Sequence, residues 1–144
     1  MKKHILIMAV LLLVFICGCA FPADSTNFEF SISTANITSP LMTSDVVNGE
    51  PVDEVTEYPK DAPKLVAVGI LNNAPDDTKV RFVWNYITDD QMIYEVEMNN
   101  EGQSGIYVYS TLTIESLWPD GEYSVDMYVD NRTEPDATAF FKIR

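Results

Sequence analysis

From Phe28 to the C-terminus the apolar positions recur with a period of two. Phe28, Phe30 and Ile32 alternate with Glu29 and Ser31; Val66, Val68 and Ile70 follow; Val80, Phe82, Trp84 and Tyr86 alternate with Arg81 and Asn85; Tyr123, Val125, Met127 and Val129 alternate with Ser124, Asp126 and Asp130. Alternation of this kind is the mark of a half-buried strand, because successive side chains of an extended chain point to opposite faces. Between these runs lie Asn72–Asp77, Thr88–Gln91, Asn99–Gly102, Trp118–Gly121 and Asn131–Pro135, rich in residues that tolerate positive φ or preset a turn. The pattern predicts strands near 28–38, 64–71, 79–87, 92–98, 105–114, 122–129 and 137–143. About seven short antiparallel strands with this spacing predict an all-β sandwich.

Ser39 to Pro63 departs from the pattern. It holds Pro40, Pro51, Pro59 and Pro63 and is predicted to be irregular, with a small edge hairpin around Asn48-Gly49.

The first 18 residues have a different logic. Lys2, Lys3 and His4 precede twelve unbroken apolar residues, Ile5–Ile16, and Ile16-Cys17-Gly18-Cys19 closes the run. A positive head, a short apolar stretch and small closing residues form an export signal, and twelve helical residues rise only about 18 Å, short of a bilayer core. The closing tetrapeptide resembles a prokaryotic lipobox. That resemblance implies cleavage before Cys19 and lipidation of Cys19, giving a signal peptide (1–18), a lipid-anchored tether (19–27) and one domain (28–144). An uncleaved anchor and plain secretion are the alternatives, and all three place the domain outside the cytoplasm.

Cysteine and charge narrow the chemistry. Cys17 and Cys19 are the only cysteines, too close together to staple a fold, so stability rests on packing. The only histidine is His4, in the signal. Neither a Ser-His or Cys-His pair nor a His/Cys metal site can be assembled, and we expect no enzyme and no cofactor. The whole chain carries a formal charge of −13; with Lys2 and Lys3 removed, seven basic residues face 22 acidic ones. Such a surface repels phosphate backbones and gains nothing from anionic lipid, so no nucleic acid is expected and membrane attachment would rest on the lipid.

A further resemblance is carried by the C-terminal half. Leu112-Thr113-Ile114, Leu117 and Asp120-Gly121-Glu122-Tyr123-Ser124-Val125 resemble the passage between strands E and F of immunoglobulin-like domains, with Val125 in the place of a cysteine. Trp84 falls where that fold keeps its core tryptophan. The resemblance, which extends to fibronectin type III domains and to small prokaryotic surface lipoproteins, implies an immunoglobulin-like sandwich. It also implies that Tyr123 bonds back to the preceding turn and that Ile70 and Val125 meet in place of a disulfide.

Candidate functional residues are few. Trp118, on a turn, reads either as an end-cap of the core or, with Asp89 and Asp90, as a contact for a partner, a basic protein steered by charge. Asn36-Ile37-Thr38 and Asn131-Arg132-Thr133 are glycosylation sequons. Asp76 and Asp77 with Glu134 and Asp136 offer a calcium reading beside that of ordinary solvated turns. The expected function is a non-catalytic interaction or structural module held at a membrane by its lipid. A small-ligand or cation-binding lipoprotein serving a transporter or sensor is the alternative. An aromatic-lined concavity with carboxylates would favour that alternative; a flat exposed Tyr/Trp patch would favour the interaction module.

Overall fold

The computed structural model describes residues 33–144, so Cys19 and the predicted strand positions Phe28, Phe30 and Ile32 lie outside the described residues. Seven principal strands form the domain: β1 (Asn36–Thr43), β5 (Leu65–Asn72), β6 (Lys79–Tyr86), β7 (Gln91–Asn99), β8 (Ile106–Leu112), β9 (Gly121–Val129) and β10 (Ala137–Ile143). Three two-residue strands, β2 (Val46–Val47), β3 (Glu50–Pro51) and β4 (Glu57–Tyr58), fall in the proline-rich segment. One sheet has the order β1-β5-β8 and the other β4-β10-β9-β6-β7, while β2 and β3 pair as a small hairpin. All pairings are antiparallel except that of β4 with β10. This is an open all-β sandwich with immunoglobulin-like strand order, in which the second and sixth principal strands face each other from opposite sheets.

Alternation along each strand builds the core. Val80, Phe82 and Trp84 of β6, Val125, Met127 and Val129 of β9, and Leu65, Ala67 and Leu71 of β5 are wholly buried. Trp84 bridges the two layers, its indole N–H donating to the buried Ser110 hydroxyl of β8 at 3.0 Å. Phe141 gathers the aromatics, stacked on Tyr123 at 5.1 Å between centroids and edge-on to Tyr58 and Trp84. The outer face of the larger sheet is charged, with Lys79–Glu97, Arg81–Glu95 and Lys142–Glu122 pairs.

Two expectations need correction. The first described strand runs from 36 to 43, through Pro40, where the sequence pattern ended a strand at 38. The register with β5 slips between Thr38 and Leu41, and Ser39 adopts φ 52. This bulge removes Pro40, which has no N–H to give, from the ladder and lets pairing resume.

The second correction concerns Ile70. Its strand presents the odd positions inward: Leu65, Ala67 and Leu71 belong to the core cluster, whereas Ile70 is half-buried on the other face. The inward position nearest the would-be disulfide is Gly69. A Cβ there would lie 2.6 Å from Ile37 Cγ2 and 2.9 Å from Met127 Sδ, so the missing side chain is what lets those two fill the space. Val125 is inward as expected, with 0% exposure.

Candidate functional site

The two ends of the sandwich differ in what they hold. At one end the chain enters β1: Arg132, in the turn after β9, donates from Nη2 to the carbonyls of Ser33 (3.1 Å) and Ala35 (2.7 Å) and pairs with Asp136. The turns at 73–78 and 100–105 lie at this end, tied by Asn100 N to Thr78 O (2.9 Å) and Ala74 N to the Ser104 hydroxyl (3.0 Å). Asn131 is exposed in its turn. Asn36, at the start of β1, is half-buried, its amide donating to Thr34 O and its oxygen accepting from Asn72.

The calcium reading of this end is not supported by the packing. Asp136 is spent on Arg132 and on the Val129 N–H, and Asp76 lies against Gly102. Among the described residues no three His, Cys, Asp or Glu side chains converge.

The opposite end carries the more elaborate construction. Trp118 is only 3% exposed; its indole N–H donates to Ala62 O at 2.8 Å and its backbone N–H to Lys60 O at 2.9 Å. The end-cap alternative therefore describes it, and its reading as an exposed partner contact is corrected: an indole holding the 59–62 turn against the core cannot also project into a partner. Pro119 follows, and its carbonyl accepts from the Tyr123 hydroxyl at 2.7 Å, the back-bond implied by the resemblance. The Tyr86 hydroxyl donates to Asp120 O at 2.6 Å, and the Tyr86 and Tyr123 rings lie 4.8 Å apart. Burial, with Tyr86 and Asp120 nearby, pushes the Tyr123 phenol up to about 12.

Gly121 makes this crossing of chains close-fitting. It adopts φ +149, and a Cβ there would sit 2.6 Å from Tyr86 Cε2 and collide with the Thr88 hydroxyl. The same hydroxyl accepts the Glu122 N–H at 3.0 Å, joining the β6–β7 turn to the start of β9.

A cavity of about 340 Å³ opens beside this cluster, where β7 and β8 end their respective sheets without pairing. Trp118 and Tyr123 form its floor, and Ile93, Leu112, Ile114 and Tyr86 line its sides. Ile93 reaches it because the register of β7 with β6 slips between Trp84 and Asn85, leaving one unopposed residue on β7. A bulge of this kind re-aims a side chain off the regular alternation. Asp89 and Gln91 stand on the cavity wall from the polar side.

Asp89 and Trp118, grouped from sequence as one partner contact, share one cavity, with the carboxylate exposed and the indole buried. Asp90 does not line it; it closes the short 3-10 turn at φ 52 and faces the outer sheet surface near Asn85 and Ser124. Sequence reasoning missed Ile93, Leu112 and Ile114 as a set. Their only sequence signal is an apolar Met92-Ile93-Tyr94 run that breaks strict alternation in an otherwise acidic strand.

Two of the lining side chains, Ile93 and Ile114, and the neighbouring Leu117 are exposed apolar groups. Ile93 is 37% exposed, Ile114 40% and Leu117 64%, the last on the same loop as Trp118. By contrast Tyr109 projects from the outer face of β8, half-exposed, remote from the cavity by strand parity.

No protein-family model matches the chain, and no curated protein matches it. Among solved structures it is similar to an immunoglobulin-like protein of Pseudomonas aeruginosa, at 15% identity and a TM-score of 0.47, covering 76% of this chain and 96% of that one. It is also similar to part of an alkylpurine DNA glycosylase of Pseudomonas fluorescens bound to DNA with an abasic-site analogue. That match has 13% identity and a TM-score of 0.47, and covers 76% of this chain and 30% of the other.

Proposed function

We propose that the chain is a non-catalytic, extracytoplasmic interaction module, anchored through a lipid on Cys19, that presents the Trp118 end of its sandwich to a protein partner. The observation that carries this reading is the opposition of the two ends. The chain enters β1 beside Arg132 and the 130–136 turn, while the cavity and the 87–90 turn, which follows β6, lie at the other end of the strands. An anchor on Cys19 precedes Ser33 in the chain, and the opposite end is assigned to the partner. Ile93 and Ile114, with Leu117 exposed on the Trp118 loop, then supply apolar surface in a strongly acidic domain, a combination suited to a partner steered by charge and held by apolar contact.

The test has two parts. The wild-type protein is expected to partition into the detergent phase and Cys19→Ser to leave it. A photo-crosslinking side chain at Leu117 is expected to capture a partner in intact cells, with capture weakened by added salt, while the same group at Asn131 captures none. Equal capture from both positions would overturn the assignment of ends, and an unlipidated wild type would overturn the anchor.

A second reading, a small-ligand or cation-binding lipoprotein serving a transporter or sensor, is favoured by one specific observation. The far end is concave and aromatic-floored, with a carboxylate on its wall, and is not a flat Tyr/Trp patch. A volume of about 340 Å³ lies at the lower end of the range for ligand pockets, about 300–1,000 Å³.

A further inference from the structure

The side-chain chemistry of that cavity is one-sided. The fixed donors on its lining are all committed to backbone carbonyls: Trp118 Nε1–H to Ala62, the Tyr123 hydroxyl to Pro119 and the Tyr86 hydroxyl to Asp120. Among the lining side chains a bound group therefore meets hydroxyl lone pairs, the Asp89 carboxylate and the Gln91 amide, and of these only Gln91 can donate. The remaining lining is apolar: Ile93, Leu112 and Ile114.

Asp89 is also uncommitted. Among the described residues the ion pairs are Lys60–Asp120, Lys64–Asp45, Lys79–Glu97, Arg81–Glu95, Arg132–Asp136, Lys142–Glu122 and Arg144–Glu57, and Asp89 takes part in none. Lys60, the lysine tied to this end of the molecule, is held by Asp120 at 2.6 Å. No cation among the described residues lines the cavity, so an anionic ligand would find no side-chain counter-charge there and would meet the Asp89 carboxylate instead.

We infer that the cavity between β7 and β8 binds a hydrophobic ammonium: a compact apolar or aromatic body seated on Trp118 and Tyr123, with its charged nitrogen at the mouth beside Asp89. The inference rests on the ligand-binding reading and gives it a chemical class. The same chemistry is available from a free arylalkylamine or from the N-terminal residue of a polypeptide beginning with phenylalanine, and both sources use the same two contacts.

A charge series with one apolar body tests it. The full-length protein in lipid nanodiscs would be titrated with 2-phenylethylamine, 2-phenylethanol and 3-phenylpropionate by saturation-transfer NMR, with empty nanodiscs as the blank. The expected order is amine, then alcohol, then carboxylate. Asp89→Asn, which removes no hydrogen bond or ion pair of the fold, should lower only the amine's affinity, by about two- to fivefold, the scale of an exposed ion pair. Ile114→Trp, which fills the cavity from its exposed side, should abolish all three. A Phe-initiated peptide binding more tightly than the free amine would support the class with a polypeptide as its source; the reverse would support it with a small molecule. Equal binding of amine and alcohol, or an amine affinity unmoved by Asp89→Asn, overturns the cationic class while leaving a ligand pocket in place. Absence of binding by all members overturns the pocket as well.

Discussion

Trp84→Ala is the substitution from which the sandwich has most to lose. Trp84 has no exposure, is the largest fully buried side chain and spans the layers from β6 to the Ser110 hydroxyl of β8. Truncating a large buried aromatic costs about 3–5 kcal/mol through lost transfer energy and the cavity left behind. The loss also orphans the Ser110 hydroxyl, 4% exposed, at about 1–3 kcal/mol if no water replaces the indole. Together these place Trp84→Ala near the top of the truncation range, comparable with the whole stability of a marginal domain, about 5 kcal/mol. Trp84→Phe keeps most of the volume and isolates the hydrogen bond. Equilibrium urea unfolding followed by far-UV circular dichroism measures both variants, with Ser110→Ala added to the wild type and to Trp84→Phe. Ser110→Ala should destabilise the wild type and be close to neutral in the Trp84→Phe background, since only the first case leaves a buried indole donor unpaired. A loss below about 1 kcal/mol for Trp84→Ala would place the residue outside the core and refute the register of β6. Equal costs of Ser110→Ala in both backgrounds would refute the bridging bond.

Gly121→Ala should destabilise the domain although the change adds a single methyl, because that methyl meets Tyr86 and the Thr88 hydroxyl on a backbone at φ +149. We expect about 1–3 kcal/mol, the cost of overpacking, by urea unfolding, and a wild-type midpoint would show that the crossing of the 87–90 turn over β9 is looser than described. The raised Tyr123 phenol sets an alkaline signature. The folded state keeps its proton to about pH 12 while the unfolded chain gives it up near 10, so stability is fully present below 10 and declines as pH rises through 12. Tyr58 is raised further, by burial, and adds to the same decline. Unfolding measured at about pH 9 and about pH 11, on either side of the ordinary phenol range, should show a fall that Tyr123→Phe reduces; an identical fall in that variant would assign it elsewhere.

What the sequence disclosed and what it withheld divide along a physical line. The alternation in β6 and β9 was legible because each places one face on the core and the other toward water, and period-two patterning follows directly from that. The alternation in β5 misled for the opposite reason. Val66 and Val68 are buried on the outer face at 1% and 0% exposure while Gly69 stands inward, so hydrophobicity there no longer reports direction. The inward row is set by pairing with β1 and β8, which is tertiary information. Tyr123 and Trp118 were legible in kind, since a turn-borne aromatic after a proline-bounded loop has few stable destinations. Their convergence with Ile93 was not, because it depends on a one-residue slip between β6 and β7.

The proline-rich stretch shows the same limit from another side. Asn48 and Gly49, at φ 54 and 82, form the expected tight hairpin between β2 and β3, a local matter settled by two residues. What surrounds it is a seam between the sheets. Asp53 accepts from the Thr43 and Ser44 hydroxyls and the Ser44 N–H, which hold its carboxyl below the usual range, and Tyr58 donates across 15 residues to Thr43 O at 2.7 Å. Two residues of β4 then lie parallel to the end of β10, and Lys142 N donates to Thr56 O at 3.0 Å. The chain thereby leaves the three-stranded sheet at Thr43 and joins the edge of the five-stranded one at Glu57.

That transfer between sheets has a consequence for the far end. β4 takes up the Lys142–Ile143 end of the β10 edge, whereas on the other flank β7 ends the larger sheet and β8 ends the smaller one without pairing with it. The two flanks of the sandwich therefore differ. The β7–β8 flank, at the end away from Ser33, is where the β7 bulge turns Ile93 inward and where Trp118, held by the 59–62 turn that follows β4, supplies the floor. The irregular segment that sequence patterning reads least well thus pairs with the end of β10 on one flank and braces the cavity on the other. Substitutions in 59–62 should for this reason alter the cavity before they alter the strands, since the Trp118 indole has its one hydrogen bond there and none to β7 or β8.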